Sequence, residues 1–467
     1  MPLAQAAETV LGVYVFHRHG DRTAKMTPPA NLTDLGYFEV FTSGQWFRNR
    51  YIASDASAQV HGMSTDIVKQ SQITVSAPSD TVLFNSAQGF LQGLYPPVGS
   101  TMGAETLRNG TKIESPLNGY QLIPIQALST GTNSENAGWL QGASGCNKAA
   151  SSSNQYFFSN EYNALFNSTT DFYKGLTPMI NNTFPPSQIS YKNAYTIFDL
   201  LNVASIHNAS FPSSNLLTNE TFFQLRTLAD THEWNLAYNE SEPVRAMAGA
   251  SLAAQVVQQL NTTITGMGKS KFAIQFGAYA NFMSFFGLAQ LTKSNPDFYG
   301  VPDYASSMTF ELVTNASTAT FPAADDISVR FLFHNGTTSN SSEPIAYPLF
   351  GQSDLVLPWT TFVDEMNKFA VGSEADWCKA CGNTDGACAA YTTSNSTAGT
   401  SSSSSSGSSH HGGMSLGVAG VIGAMVTLGV ILGLELLIVL VGGLRLVSKK
   451  RLANTGAAAP AVAETKA

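Results

Sequence analysis

Residues 8–23 read Glu8-Thr9-Val10-Leu11-Gly12-Val13-Tyr14-Val15-Phe16-His17-Arg18-His19-Gly20-Asp21-Arg22-Thr23, and this stretch decides the fold. Its first half is a short, mostly apolar run rich in β-branched residues. That is the pattern of a buried central strand with both faces covered. Its second half is a polar, glycine-containing loop at the strand's carboxyl end. In open α/β sheets, ligands bind just beyond such ends. The loop therefore occupies the position of a site before its chemistry is considered.

The chemistry of the loop points to phosphate. Arg18 and Arg22 flank His19, and guanidinium groups grip a phosphoryl group through paired, charge-assisted hydrogen bonds. An imidazole held beside them can attack phosphorus and carry the phosphoryl group covalently. Gly20 lets backbone approach the oxygens. Beyond position and charge stabilisation, such a transfer needs a proton for the departing alkoxide, and no cofactor or metal.

Outward from the loop, strand-like runs recur at 271–276 and 329–334. Helical patterns lie near 37–50, 82–94, 222–238, 244–261 and 359–369. The middle, 126–260, is rich in Asn, Ser and aromatic residues and lacks strand alternation, so it is expected to be a mostly helical cap inserted into an α/β core of 8–125 and 261–390. From 391 to 413 the chain is almost wholly Ser, Thr, Gly and Asn, the composition of a stalk.

Bulk composition narrows the class. Charged residues make up 12% of the 467, about half the usual share, so something besides charge must keep the surface wet. Sugar can do so. Asn-x-Ser/Thr acceptors stand at Asn31, Asn109, Asn167, Asn181, Asn208, Asn219, Asn239, Asn261, Asn315, Asn335, Asn340 and Asn395. A net charge of −8 argues against a nucleic-acid binder, which needs a basic face.

The ends set the expected topology. Leu416–Leu434 carries no charge and the apolar run resumes from Leu436 to Leu444, longer than the ~20 residues that span a bilayer. Arg445, Lys449, Lys450 and Arg451 follow, which puts that end in the cytosol. The expectation is a type I plasma-membrane protein with an extracellular ectodomain, a span at 414–447 and a cytoplasmic tail at 448–467. A lipid-anchor signal would instead end in its apolar tail. Residues 1–7 read as the remnant of a signal-peptide cleavage region, with a longer leader expected upstream. In an oxidising compartment Cys146, Cys378, Cys381 and Cys388 read as two disulfides rather than a metal site, with three pairings open.

The Arg-His-Gly-Asp-Arg-Thr run after an apolar strand resembles the histidine acid phosphatases, the phytase-containing branch of the histidine phosphatase superfamily. The resemblance spans about residues 9–390. Ser86-Ala87, Phe90-Leu91 and Gly93-Leu94-Tyr95-Pro96-Pro97 look like the family's helix after the loop. Thr231-His232-Glu233-Trp234-Asn235 is similar to a segment of the fungal phytases' helical insertion. Val329–Phe333, Phe362-Val363 and Trp377-Cys378 with Cys381 and Cys388 fit the carboxyl region. The resemblance implies an α/β fold: a histidine-phosphatase-like mixed sheet with helices on both faces and a helical cap. It implies His19 as nucleophile, with Arg18 and Arg22 binding the phosphate of a monoester.

Two catalytic elements of the family have no counterpart. A third arginine belongs just before Ser86-Ala87, but residues 79–85 read Ser-Asp-Thr-Val-Leu-Phe-Asn, with Thr81 and Val82 in the degenerate positions. No arginine occurs between Arg50 and Arg108. A His-Asp pair, whose aspartate supplies the proton, belongs after a late strand; here that strand, Phe272–Phe276, leads into Ala278 and Tyr279. Asp21 and Glu233 are weak substitutes as proton donors. Two readings follow: an anchored family member that binds phosphate with weak or absent activity, or an active acid phosphatase with a non-standard proton donor.

Overall fold

The computed structural model describes residues 8–128, 144–209 and 217–392. A mixed sheet forms the centre. Its strands are β1 (Thr9–Arg18), β2 (Ile73–Pro78), β5 (Gln126–Leu128), β6 (Phe272–Gly277), β7 (Ser307–Thr314), β8 (Ile327–His334), β9 (Ile345–Ala346) and β10 (Val356–Pro358); β3 (Ala104–Thr106) and β4 (Lys112–Glu114) form a separate ribbon. The order is β10-β8-β7-β1-β6-β2-β5, with β9 on β8. From β1 to β5 the neighbours are parallel, and from β1 to β10 they are antiparallel. β1 is the seam between the halves, so its carboxyl end meets loops from both.

Both faces of β1 are buried, as its apolar run requires. Val10, Val13 and Val15 pack against helices Asp34–Tyr51 and Leu83–Leu94. Leu11, Tyr14 and Phe16 pack against Met247–Thr265, Tyr279–Leu288 and Trp359–Asn367 on the other face. A register shift between Val10 and Gly12 explains why the alternation slips there. The first two helices cross where side chains are missing. A Cβ on Gly44 would lie 2.1 Å from the Phe90 carbonyl oxygen, and one on Gly93 would lie 2.2 Å from that of Phe41.

The helical region is narrower than 126–260. Gln126–Leu128 pairs in parallel with β2, and Met247–Thr265 lies on the sheet through Leu252, Val256 and Leu260. Both ends of the expected cap therefore belong to the core. Between them Tyr156, Tyr173, Tyr191, Ile197, Leu201 and Leu225 build a separate aromatic-rich cluster that includes Tyr279 and Met283. The four cysteines pair as Cys146–Cys381 and Cys378–Cys388, which selects one of the three pairings and removes Cys-x-x-Cys as a metal ligand. Among the described residues no helix is long and apolar enough to cross a membrane. The expected leader remnant (1–7), the span (414–447), the tail (448–467), Asn395 and nearly all of the stalk lie outside the described residues.

Candidate active site

β1 delivers the loop and its neighbours hold it. Arg18 N–H donates to Ser306 O at 2.8 Å and Ala305 N–H to His19 O at 2.8 Å, so the start of β7 grips one side. Gly20 N–H donates to Ser86 Oγ at 3.2 Å, and Ser86 donates to Val82 O at 2.8 Å, so the Leu83–Leu94 helix grips the other. The amino end of Asp34–Tyr51, capped by Thr33 on Gly36 N–H, passes close beneath. A Cβ on Gly20 would sit 2.2 Å from Gly36 O, and one on Gly36 would sit 2.0 Å from Asp21 O. Glycine is required at both points for backbone to pass backbone.

His19 is fully buried. Its Nδ1 lies 2.8 Å from Gly20 O. A carbonyl only accepts, so Nδ1 carries the proton and Nε2 is the basic nitrogen of the neutral ring. That is the form a nucleophile needs. Burial holds neighbouring His17 neutral, with its pKa lowered to about 4.

Both arginines are occupied. Arg22 is buried and forms a two-pronged ion pair with Asp199, Nη2 to Oδ1 at 2.9 Å and Nη1 to Oδ2 at 3.2 Å. Arg18 donates to Pro302 O and, at 3.4 Å, to Tyr195 Oη. Its guanidinium lies 4.7 Å from the Tyr304 ring centroid and 5.4 Å from that of Tyr279. Both arginines, which the resemblance assigns to phosphate binding, thus have protein partners. Beside Arg18 lies a cavity of about 30 Å³, bordered by Arg18, Tyr195, Asp199, Arg226 and Tyr304, enough for roughly one or two waters. A cleft of about 860 Å³, lined by Trp234, Tyr299, Phe333 and acidic side chains, lies against another surface of Arg226.

Ala278 and Tyr279 lie beside the loop, because β6 runs parallel to β1 with Gly277 paired to Arg18. Tyr279 lays its ring beside Arg18 and turns its hydroxyl away, donating to Glu233 Oε2 at 2.7 Å. Glu233 Oε1 lies 2.9 Å from His232 Nδ1, so this substitute acid is tied down behind the Tyr279 hydroxyl. Asp21, the other substitute, is fully buried, and its Oδ1 accepts from Thr33 Oγ1 at 2.5 Å and lies 2.6 Å from His207 Nε2. Thr81 donates to Ala30 O, and Val82 N–H donates to Asp80 Oδ1.

Four residues without a local motif complete the site: Tyr195, Asp199, Tyr304 and Lys25. Lys25 Nζ lies 5.1 Å from the Tyr279 ring centroid and 5.5 Å from that of Tyr195. Burial raises the Tyr304 hydroxyl pKa well above its ordinary value. The one signal for Asp199 is a lone acid in the otherwise apolar run Ile197-Phe198-Asp199-Leu200-Leu201, since a buried carboxylate demands a partner.

The model of the histidine phosphatase superfamily (branch 2) matches residues 25–334. A lysosomal acid phosphatase of Xenopus laevis is 24% identical over 362 residues, covering 74% of each chain. Among solved structures, Hafnia alvei phytase superposes with a TM-score of 0.53 at 13% identity, over 81% of this chain and 99% of that one. Citrobacter braakii phytase gives 0.52 at 12% identity, over 80% and 99%. At such identities these structures speak for the fold alone. The family match covers most of the chain, and with the strand, loop and flanking elements described above, this protein belongs to branch 2 of the histidine phosphatase superfamily.

Proposed function

We infer that this protein is a membrane-anchored extracellular glycoprotein that keeps the family's fold and nucleophile but has weak or absent phosphomonoesterase activity. The observation that carries the reading is Tyr279. It follows β6 where the family resemblance puts the proton donor, and it sets a ring beside Arg18 and points its hydroxyl at Glu233. Loss of a general acid typically costs ~10²–10⁴ in rate. Loss of one charge-stabilising donor, as at Thr81 and Val82, costs ~10²–10³ more. Residual activity would favour esters whose leaving groups need no proton.

Anchoring and glycosylation rest on the sequence, with support from exposure. Of the eleven described acceptor asparagines, ten are exposed and Asn239 is half-buried, so all are accessible to sugar transfer. The apolar run at 414–447 with its basic flank supplies the anchor.

The test is hydrolysis of an alkyl phosphate by the full-length chain from a secretory host, between about pH 3 and 7, beside His19→Ala. The reading expects little turnover above the His19→Ala background. Rapid turnover abolished by that substitution overturns it in favour of an active acid phosphatase with an unconventional proton source, the reading that the ordered His19 ring would serve.

A further inference from the structure

The loop carries a charge balance that the family resemblance did not foretell. Arg18, Arg22 and Lys25 stand against Asp21, Asp199 and Glu39. Asp199 differs from the other two acids. It is 2% exposed, and it comes from helix Ala194–His207 of the helical region rather than from the loop or the helix beneath it.

Its carboxylate is fully subscribed. Arg22 Nη2 and Nη1 approach its two oxygens at 2.9 and 3.2 Å. Lys25 backbone N–H donates to Oδ2 at 2.8 Å, and Tyr304 Oη donates to Oδ1 at 3.4 Å. Guanidinium fork, backbone N–H and phenol together are the donor set that receives a phosphoryl group. The same helix places Tyr195 on Arg18 and His207 on Asp21, so one element contacts three members of the loop.

We propose that Asp199 is an internal anion that occupies the phosphate subsite of Arg22, making helix Ala194–His207 an autoinhibitory clamp on the loop. The proposal rests on reading the loop as a phosphate site, and it concerns binding rather than turnover. The ion pair brings both terminal nitrogens of Arg22 to the two Asp199 oxygens, with Nη1 donating the hydrogen bond, and a phosphate anion at Arg22 would face the Asp199 charge. The competing role is positioning, in which Asp199 aims Arg22 at an incoming phosphate. The two roles predict opposite signs.

The experiment titrates inorganic phosphate into the full-length chain, wild type and Asp199→Asn, by calorimetry. The amide keeps the shape and an acceptor for Lys25 N–H but removes the charge. Occupation predicts that phosphate affinity rises roughly tenfold or more in Asp199→Asn, and that the gain disappears in Asp199→Asn with Arg22→Met. A fall or no change in affinity overturns the clamp. Asp199→Ser, checked for native near-ultraviolet circular dichroism, repeats the test if the amide does not fold. If neither folds, the wild-type titration decides: phosphate saturating the wild-type loop at micromolar concentration, lost in Arg22→Met, contradicts occupation, and its failure to saturate supports it. A wild-type chain that turns over an alkyl phosphate rapidly refutes the proposed function separately, whatever Asp199→Asn does.

Discussion

Two buried carboxylates, Glu311 and Asp199, use the same chemistry at different places in the sheet. Glu311 lies within β7 and is fully buried. It accepts from Arg50 at 3.0 Å, Arg330 at 2.7 Å and Tyr51 Oη at 2.5 Å, and Arg330 also reaches Glu8 at 2.8 Å. There the acid is interior and the arginines reach solvent, being 22% and 20% exposed. At Asp199 the arginine is as deeply buried as the acid. Glu311 joins β7 to β8 and to the first helix, all parts of the scaffold. Asp199 joins the helical region to the arginine that the family resemblance assigns to phosphate. An arginine–carboxylate pair holds a fold together when both partners are scaffold, and blocks a site when one of them is a ligand's receptor.

The sharpest way to break this contrast is to remove each acid in turn. Glu311→Ala strands two cations and a phenol, and should cost about 3–5 kcal/mol in urea unfolding, with no gain in phosphate affinity. A cost under about 1 kcal/mol would show that the network is not structural. Next in size is the disulfide between the start of the helical region and helix Glu374–Cys381. Cys146→Ser with Cys381→Ser should cost about 2–4 kcal/mol, and hydrogen exchange should loosen the helical region more than the β7–β8 pairing. Overpacking the crossing beneath the loop with Gly93→Ala should cost about 1–3 kcal/mol, read by the same unfolding experiment.

The smallest effect concerns a third acid near the loop, one with no arginine in contact. Glu39 accepts Asp21 N–H at 2.7 Å, and burial raises its pKa from 4.5 to about 7. A raised carboxyl pKa means the folded state holds its proton more tightly than the unfolded chain. The contribution is present in full below about pH 4.5 and is lost as pH rises through about 7. Glu39→Gln removes this dependence, so the variant should gain melting temperature relative to wild type between those limits. A constant difference would contradict the assignment.

How much of this was legible depended on whether the cause was local. β1, its loop and the Leu83–Leu94 and Met247–Thr265 helices follow from apolar runs and their periods. β7 escaped because Ser307–Thr314 carries Ser, Thr and Glu311 inward, and only Arg50 and Arg330 from elsewhere make that burial tolerable. β5 escaped because three residues carry no periodicity. His19 was legible as a motif, and the Tyr279 position as a departure from one. Asp199, Tyr195 and Tyr304 were not, since their roles exist only once the helical region folds over the loop.

Under the proposed function, the loop retains its nucleophile and no residue protonates the leaving group. The most direct test is the turnover of aryl and alkyl phosphates graded by leaving-group acidity, each corrected with His19→Ala. His19-dependent rates should fall steeply as the leaving group becomes more basic, with alkyl phosphates at background. Alkyl phosphates turned over at rates on the order of 1 s⁻¹ or more, level with the aryl esters, would show a working proton donor and contradict it.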